Sequence, residues 1–65
     1  MKDCNEILKD VGIKCSLGCG HNGTSYYCIA YTPKQASNWC NKLNKYGFKY
    51  ALWSRDNNSY LVRFH

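Results

Sequence analysis

The chain writes one pattern twice, and that repetition limits what it can fold into more than any other feature. In each half a helix signal ends at a glycine, and a strand, a turn and a second strand follow. The first helix is expected from Asp3, with Asp3 at the N-cap, Glu6 three residues on, and Cys4, Ile7, Leu8 and Val11 at helical spacing before Gly12. The second is expected from Thr32, where Thr32, Pro33 and Gln35 read as the N-cap, N1 and N3 residues of a capping box. Ala36, Trp39, Cys40 and Leu43 then form an apolar stripe, and Gly47 stops the helix. Strands are expected over 13–17 and 48–52, turns at His21-Asn22-Gly23 and Asp56-Asn57-Asn58, and return strands from Ser25 and Ser59.

Aligned with single-residue gaps at Ile7 and Thr24, residues 4–31 and 40–65 share identical residues at Cys4 and Cys40, Asn5 and Asn41, Leu8 and Leu43, Gly12 and Gly47, and Lys14 and Lys49. The pairs continue with Leu17 and Leu52, Asn22 and Asn57, Ser25 and Ser59, and Tyr26 and Tyr60. Each unit has one apolar face that it cannot bury alone, and 65 residues allow a single domain, 1–65, with one small core. The expected fold is therefore α+β: a two-layer sandwich of tandem αββ-αββ units, giving a four-stranded antiparallel sheet with two helices on one face.

Period-two reading divides that sheet. Ile13, Cys15, Leu17, Phe48, Tyr50 and Leu52, with Tyr26, Cys28, Ala30, Tyr60, Val62 and Phe64, are expected against the helices. The opposite face is then expected to carry Lys14, Ser16, Lys49, Ala51, Trp53 and Arg55 from the first strands, and Tyr27, Ile29, Tyr31, Leu61, Arg63 and His65 from the second. Rings interleaved with cations on a helix-free sheet suit single-stranded nucleic acid, because bases stack on aromatics while cations meet phosphates. The same patch also suits a protein interface or a homodimer seam, since Trp53, Tyr27, Ile29, Tyr31 and Leu61 would form an exposed apolar area.

The net charge is +5, and no acid stands between Asp10 and Asp56, so attraction to polyanions is expected. No run approaches the ~18 apolar residues of a membrane span, so no membrane partner is expected. Met1-Lys2-Asp3-Cys4 leads straight into patterned sequence, which points to a cytoplasmic location. Six tyrosines and seven asparagines among many lysines suit an AT-rich coding genome such as that of a phage or other mobile element.

Five cysteines cannot all pair within the chain, and the main expectation is free thiols used as small hydrophobes. Cys15, Cys19, His21 and Cys28 have the atom types of a zinc site without its usual paired spacing, so no metal or other cofactor is assigned. The four acids form no evident carboxylate pair, and neither histidine has a visible orienting partner beside a nucleophile, so no enzymatic activity is expected.

Two family resemblances add to this reading. Residues 26–64, with the strand Tyr27-Cys28-Ile29-Ala30-Tyr31, helix residues Ala36 and Leu43, Gly47-Phe48 and the final Tyr60-Leu61-Val62-Arg63-Phe64, resemble half of a SPOR repeat, a glycan-binding domain that uses its sheet. Residues 43–64 are similar to the helix-glycine-hairpin part of LAGLIDADG-type DNA-binding repeats, whose sheet faces DNA. No export signal, last helix or last strand of the first and no acidic catalytic helix of the second is expected from these residues, so what the resemblances imply is a sheet-face binding mode. The combined expectation is a small non-enzymatic module binding nucleic acid through Lys14, Tyr27, Tyr31, Lys49, Trp53, Arg55 and Arg63. The alternative is an inhibitor or adaptor that binds a host protein through the same Trp and Tyr patch.

Overall fold

A computed structural model describes residues 3–65; Met1 and Lys2, the first two residues of the opening read above, lie outside them. Helix α1 (Cys4–Val11) leads to strands β1 (Cys19–Asn22) and β2 (Ser25–Ala30), and helix α2 (Pro33–Tyr46) to strands β3 (Ala51–Asp56) and β4 (Ser59–Phe64). The expected element order and α+β class are both present. The four strands form one antiparallel sheet in the order β1-β2-β4-β3. No helix among the described residues is long and apolar enough to cross a membrane.

The helix ends follow local chemistry. Asp3 Oδ1 accepts the Glu6 amide at 2.9 Å, and Thr32 Oγ1 accepts the Gln35 amide at 3.1 Å, each satisfying an amide that the first helical turn leaves unpaired. The reciprocal arm at α2 differs from a standard capping box, because Gln35 Oε1 accepts from the Tyr31 amide at 2.8 Å instead of the Thr32 amide. At the other ends Gly12 and Gly47 take φ of 91° and 130°, backbone that a side chain would strain. Their amides, and those of Ile13 and Phe48, turn back to the carbonyls of Leu8 and Leu43. Lys42 Nζ reaches the Gly12 carbonyl at 3.4 Å, so a cation from α2 sits at the negative end of α1.

α2 packs on β3 and β4 and α1 on β1, which buries one side of the sheet. Cys28 lies opposite Val62 at the middle of the β2–β4 ladder, with Tyr26 opposite Phe64 and Ala30 opposite Tyr60 on either side. Cys28, Ala30, Val62 and Phe64 are fully buried there with Leu43 and Ala36 of α2, while Cys4, Ile7, Leu8 and Ile13 close the α1 end. Phe64 stacks on Tyr26 at 5.4 Å between centroids and meets Phe48 edge-on at 4.9 Å, so the rings pack in the offset and edge geometries their quadrupoles favour.

Two strand expectations need correction. Residues 13–17 are loop, not strand: Ile13 is drawn into the core by the α1 cap, and Leu17 is 44% exposed. The first strand is instead Cys19-Gly20-His21-Asn22, a poor strand former alone, held by its ladder to β2. The facing of β3 is the reverse of that expected. Ala51, Trp53 and Arg55 lie opposite Phe64, Val62 and Tyr60 and so share the helix side, whereas Leu52 and Ser54 lie opposite Arg63 and Leu61 on the open side. The chain bends at Lys49 between half-buried Phe48 and Ala51, and the bend shifts the alternation by one residue.

All five cysteines are free thiols. Burial, then the neighbouring Cys19, pushes the Cys4 thiol up to about 12, and burial likewise raises Cys19, Cys28 and Cys40. A thiol whose folded pKa is raised stabilises the fold fully below the unfolded value of 9.0, and that contribution is lost as the unfolded chain deprotonates first. The urea midpoint is expected to fall as pH rises from 8 to 10.5. A Cys4→Ala/Cys28→Ala variant should show a shallower fall, and equal slopes for the two proteins would contradict the assignment.

Candidate functional site

The open side of the sheet is built by alternation on its two central strands. Tyr27 and Ile29 of β2 stand opposite Arg63 and Leu61 of β4, and β3 adds Leu52 beside Arg63 and Ser54 beside Leu61. The β3–β4 ladder runs one pair past the strand ends, because Tyr50 and His65 exchange both backbone hydrogen bonds at 3.0 and 2.9 Å. Their rings stack with centroids 4.5 Å apart, and His65 Nδ1 lies 3.5 Å from Ser25 Oγ. One end of the face is thus an array of Tyr50, His65, Arg63 and Tyr27. A shallow pocket bounded by Asn22, Ser25, Tyr27, Leu61 and Arg63 opens beside it.

Gly20 decides how Tyr27 sits. A Cβ at this position would meet the Tyr27 hydroxyl at 2.7 Å and its Cζ at 2.9 Å, so the ring lies across the main chain of the edge strand. The ring therefore presents a side to solvent, and it covers the face of β1 at Gly20.

Of the seven residues expected to act together, only Tyr27 and Arg63 lie opposite one another on this face. Tyr31 is just past the end of β2, 56% exposed, with its hydroxyl 2.9 Å from Ser16 Oγ. Trp53 and Arg55 are on the helix side of β3, where the Trp53 ring meets Tyr60 edge-on at 5.7 Å. Lys49 is at the bend before β3, and Lys14 is in the α1–β1 loop, where it lines a groove with Lys9, Asn5 and Cys15. Residues that the expected grouping missed are Leu52, Tyr50 and His65. The adjacency of Tyr50 and His65 depends on a ladder between the chain end and the α2–β3 loop, for which the sequence carries no local signal.

Three of the four residues with zinc-ligand atom types, Cys15, Cys19 and Cys28, are hydrogen-bonded or enclosed in the core. The Cys15 thiol donates to the Gly18 carbonyl at 2.8 Å, the Cys19 thiol to Asn5 Oδ1 at 3.0 Å, and Cys28 is fully buried. Among the described residues, no group of three His, Cys, Asp or Glu side chains is disposed to hold a metal ion.

The open face belongs to a two-layer α+β fold with an uncovered antiparallel sheet. The chain matches no protein-family model, and no curated protein or solved structure matches it.

Proposed function

We propose that this protein is a non-catalytic interaction module that binds a partner protein through the open face of its sheet. The observation that carries this reading is the composition of that face. Tyr27, Tyr50, Leu52, Leu61 and Ile29 surround Arg63, and no lysine stands among them, although the chain is rich in lysine. Tyrosine and arginine enriched and lysine depleted is the signature of a protein interface, where a planar guanidinium and rigid rings bury area at low entropic cost. Leu52 is 57% exposed, which leaves apolar area uncovered on the β3 edge of the face, beside Arg63.

Nucleic acid on the same face is the second reading, favoured by the Tyr50–His65 stack beside Arg63 and Tyr27. One experiment separates the two. A photoreactive benzoylphenylalanine at Leu61 is expected to give a discrete protein adduct in an extract of the native host, resistant to nuclease and abolished by Leu52→Asp or Arg63→Glu. An adduct that disappears on nuclease treatment supports nucleic acid and overturns the protein reading. An adduct with a second copy of this chain alone makes the face a homodimer seam. No adduct, or one that survives both substitutions, overturns the sheet-face assignment.

A further inference from the structure

The positive charge of this chain is concentrated away from the open sheet face, and much of it is on α2. That helix buries Ala36, Trp39, Cys40 and Leu43. At 100° per residue the direction diametrically opposite that stripe is occupied by Lys34, Asn38, Asn41 and Lys45, all of them exposed. α2 contains no acidic residue, and its first turn carries Lys34 where the helix dipole disfavours a cation and α1 places Glu6. A lysine placed against the dipole has a local cost that an arriving anion would relieve. Asp10 is the nearby counter-charge, lining with Lys42, Lys45 and Tyr46 the groove between the two helices at the far end of α2.

A helix face of this composition selects among polyanions. Lys34 and Lys45 are separated along the axis by about 16 Å, at 1.5 Å per residue. The B-DNA major groove is about 12 Å wide and admits an α-helix. A helix lying in it with this face inward would have Lys34 and Lys45 at the two ends of the buried face, from where their long, flexible side chains extend sideways to phosphates. Asn38 and Asn41 would then fall between them, at the depth where a carboxamide can pair with adenine N6 and N7. A-form RNA closes its major groove to side chains, so the arrangement favours duplex DNA over duplex RNA.

From the position of these four residues we infer that the outer face of α2 is a duplex-DNA-binding surface, with Lys34 and Lys45 as phosphate contacts and Asn38 and Asn41 as base-edge contacts. This surface is separate from the open sheet face and does not depend on it. The test is fluorescence anisotropy of the full chain with a labelled 20-bp DNA duplex and an RNA duplex of the same sequence, from 50 to 200 mM salt. Expected are DNA binding at 50 mM salt that weakens steeply with salt, weaker binding to the RNA duplex, and a log–log salt slope reduced by about 2 in Lys34→Gln/Lys45→Gln. Leu61→Asp, on the sheet face, should leave that titration unchanged. Asn38→Ala/Asn41→Ala should keep the salt slope and lose the enrichment of adenine-containing sites from a randomised duplex pool. Three results would each overturn the assignment: no DNA binding at 50 mM salt, a slope indifferent to the lysine substitutions, or equal binding of DNA and RNA. Circular dichroism of each variant establishes that α2 is intact.

Discussion

Phe64→Ala is expected to lower stability by about 3–5 kcal/mol, the range for deleting a fully buried phenyl ring. Phe64 has no exposed surface and joins Tyr26 and Phe48 in one ring cluster, so its removal leaves a cavity bounded by rigid groups. A chain of 65 residues has about 3–10 kcal/mol of total stability at 0.05–0.15 kcal/mol per residue, so this single change is expected to unfold a large fraction of the molecules. Urea denaturation followed by circular dichroism measures it. A loss below about 1 kcal/mol would mean that Phe64 does not sit in a packed core.

Val62→Asp is the second large effect. Val62 is fully buried between Cys28 and Trp53 in the ladder, and no buried residue among those described is charged or polar, so a carboxylate there has nothing to pair with. The expected cost at neutral pH is about 3–5 kcal/mol, the range for an uncompensated buried charge. Burial would raise the folded-state pKa of the new carboxyl above its unfolded value. The variant should therefore be least destabilised below pH ~4, where both states are protonated, and lose stability as pH rises. Leu61→Asp, one residue away on the open face, should change stability by less than about 1 kcal/mol. Similar costs at the two positions would show that the faces of β4 are misassigned.

The elements legible in the sequence are those fixed by short-range chemistry. Thr32, Pro33 and Gln35 announce α2 because a cap needs only residues within one turn, and Gly12 and Gly47 end their helices because each takes a positive φ. The faces of β2 and β4 are also legible, since Cys28, Ala30, Val62 and Phe64 keep their alternation without a break in either strand. β3 faces the other way from its sequence alternation because the bend at Lys49 interrupts the alternation that starts at Phe48, which moves Trp53 and Arg55 to the helix side and Leu52 to the open side. β1 is misread because Ile13, Cys15 and Leu17 imitate a strand. The true strand owes its form to pairing with β2 and to a glycine that makes room for the Tyr27 ring. Half of the candidate interface thus depends on register, a property of strand pairs that no single segment encodes.

The ladder between β2 and β4 has a consequence for the growing chain. Each hairpin closes over a two-residue turn, but β2 and β4 are separated in sequence by α2 and β3, so joining them involves the longest loop closure in the sheet. β4 is also the last of the four strands to be synthesised. Until it arrives, β2 has one edge unpaired and Cys28 faces water with half of its cover missing. While β4 is unpaired, one of the two central strands is therefore an adhesive edge, and that exposure ends when Val62 reaches Cys28.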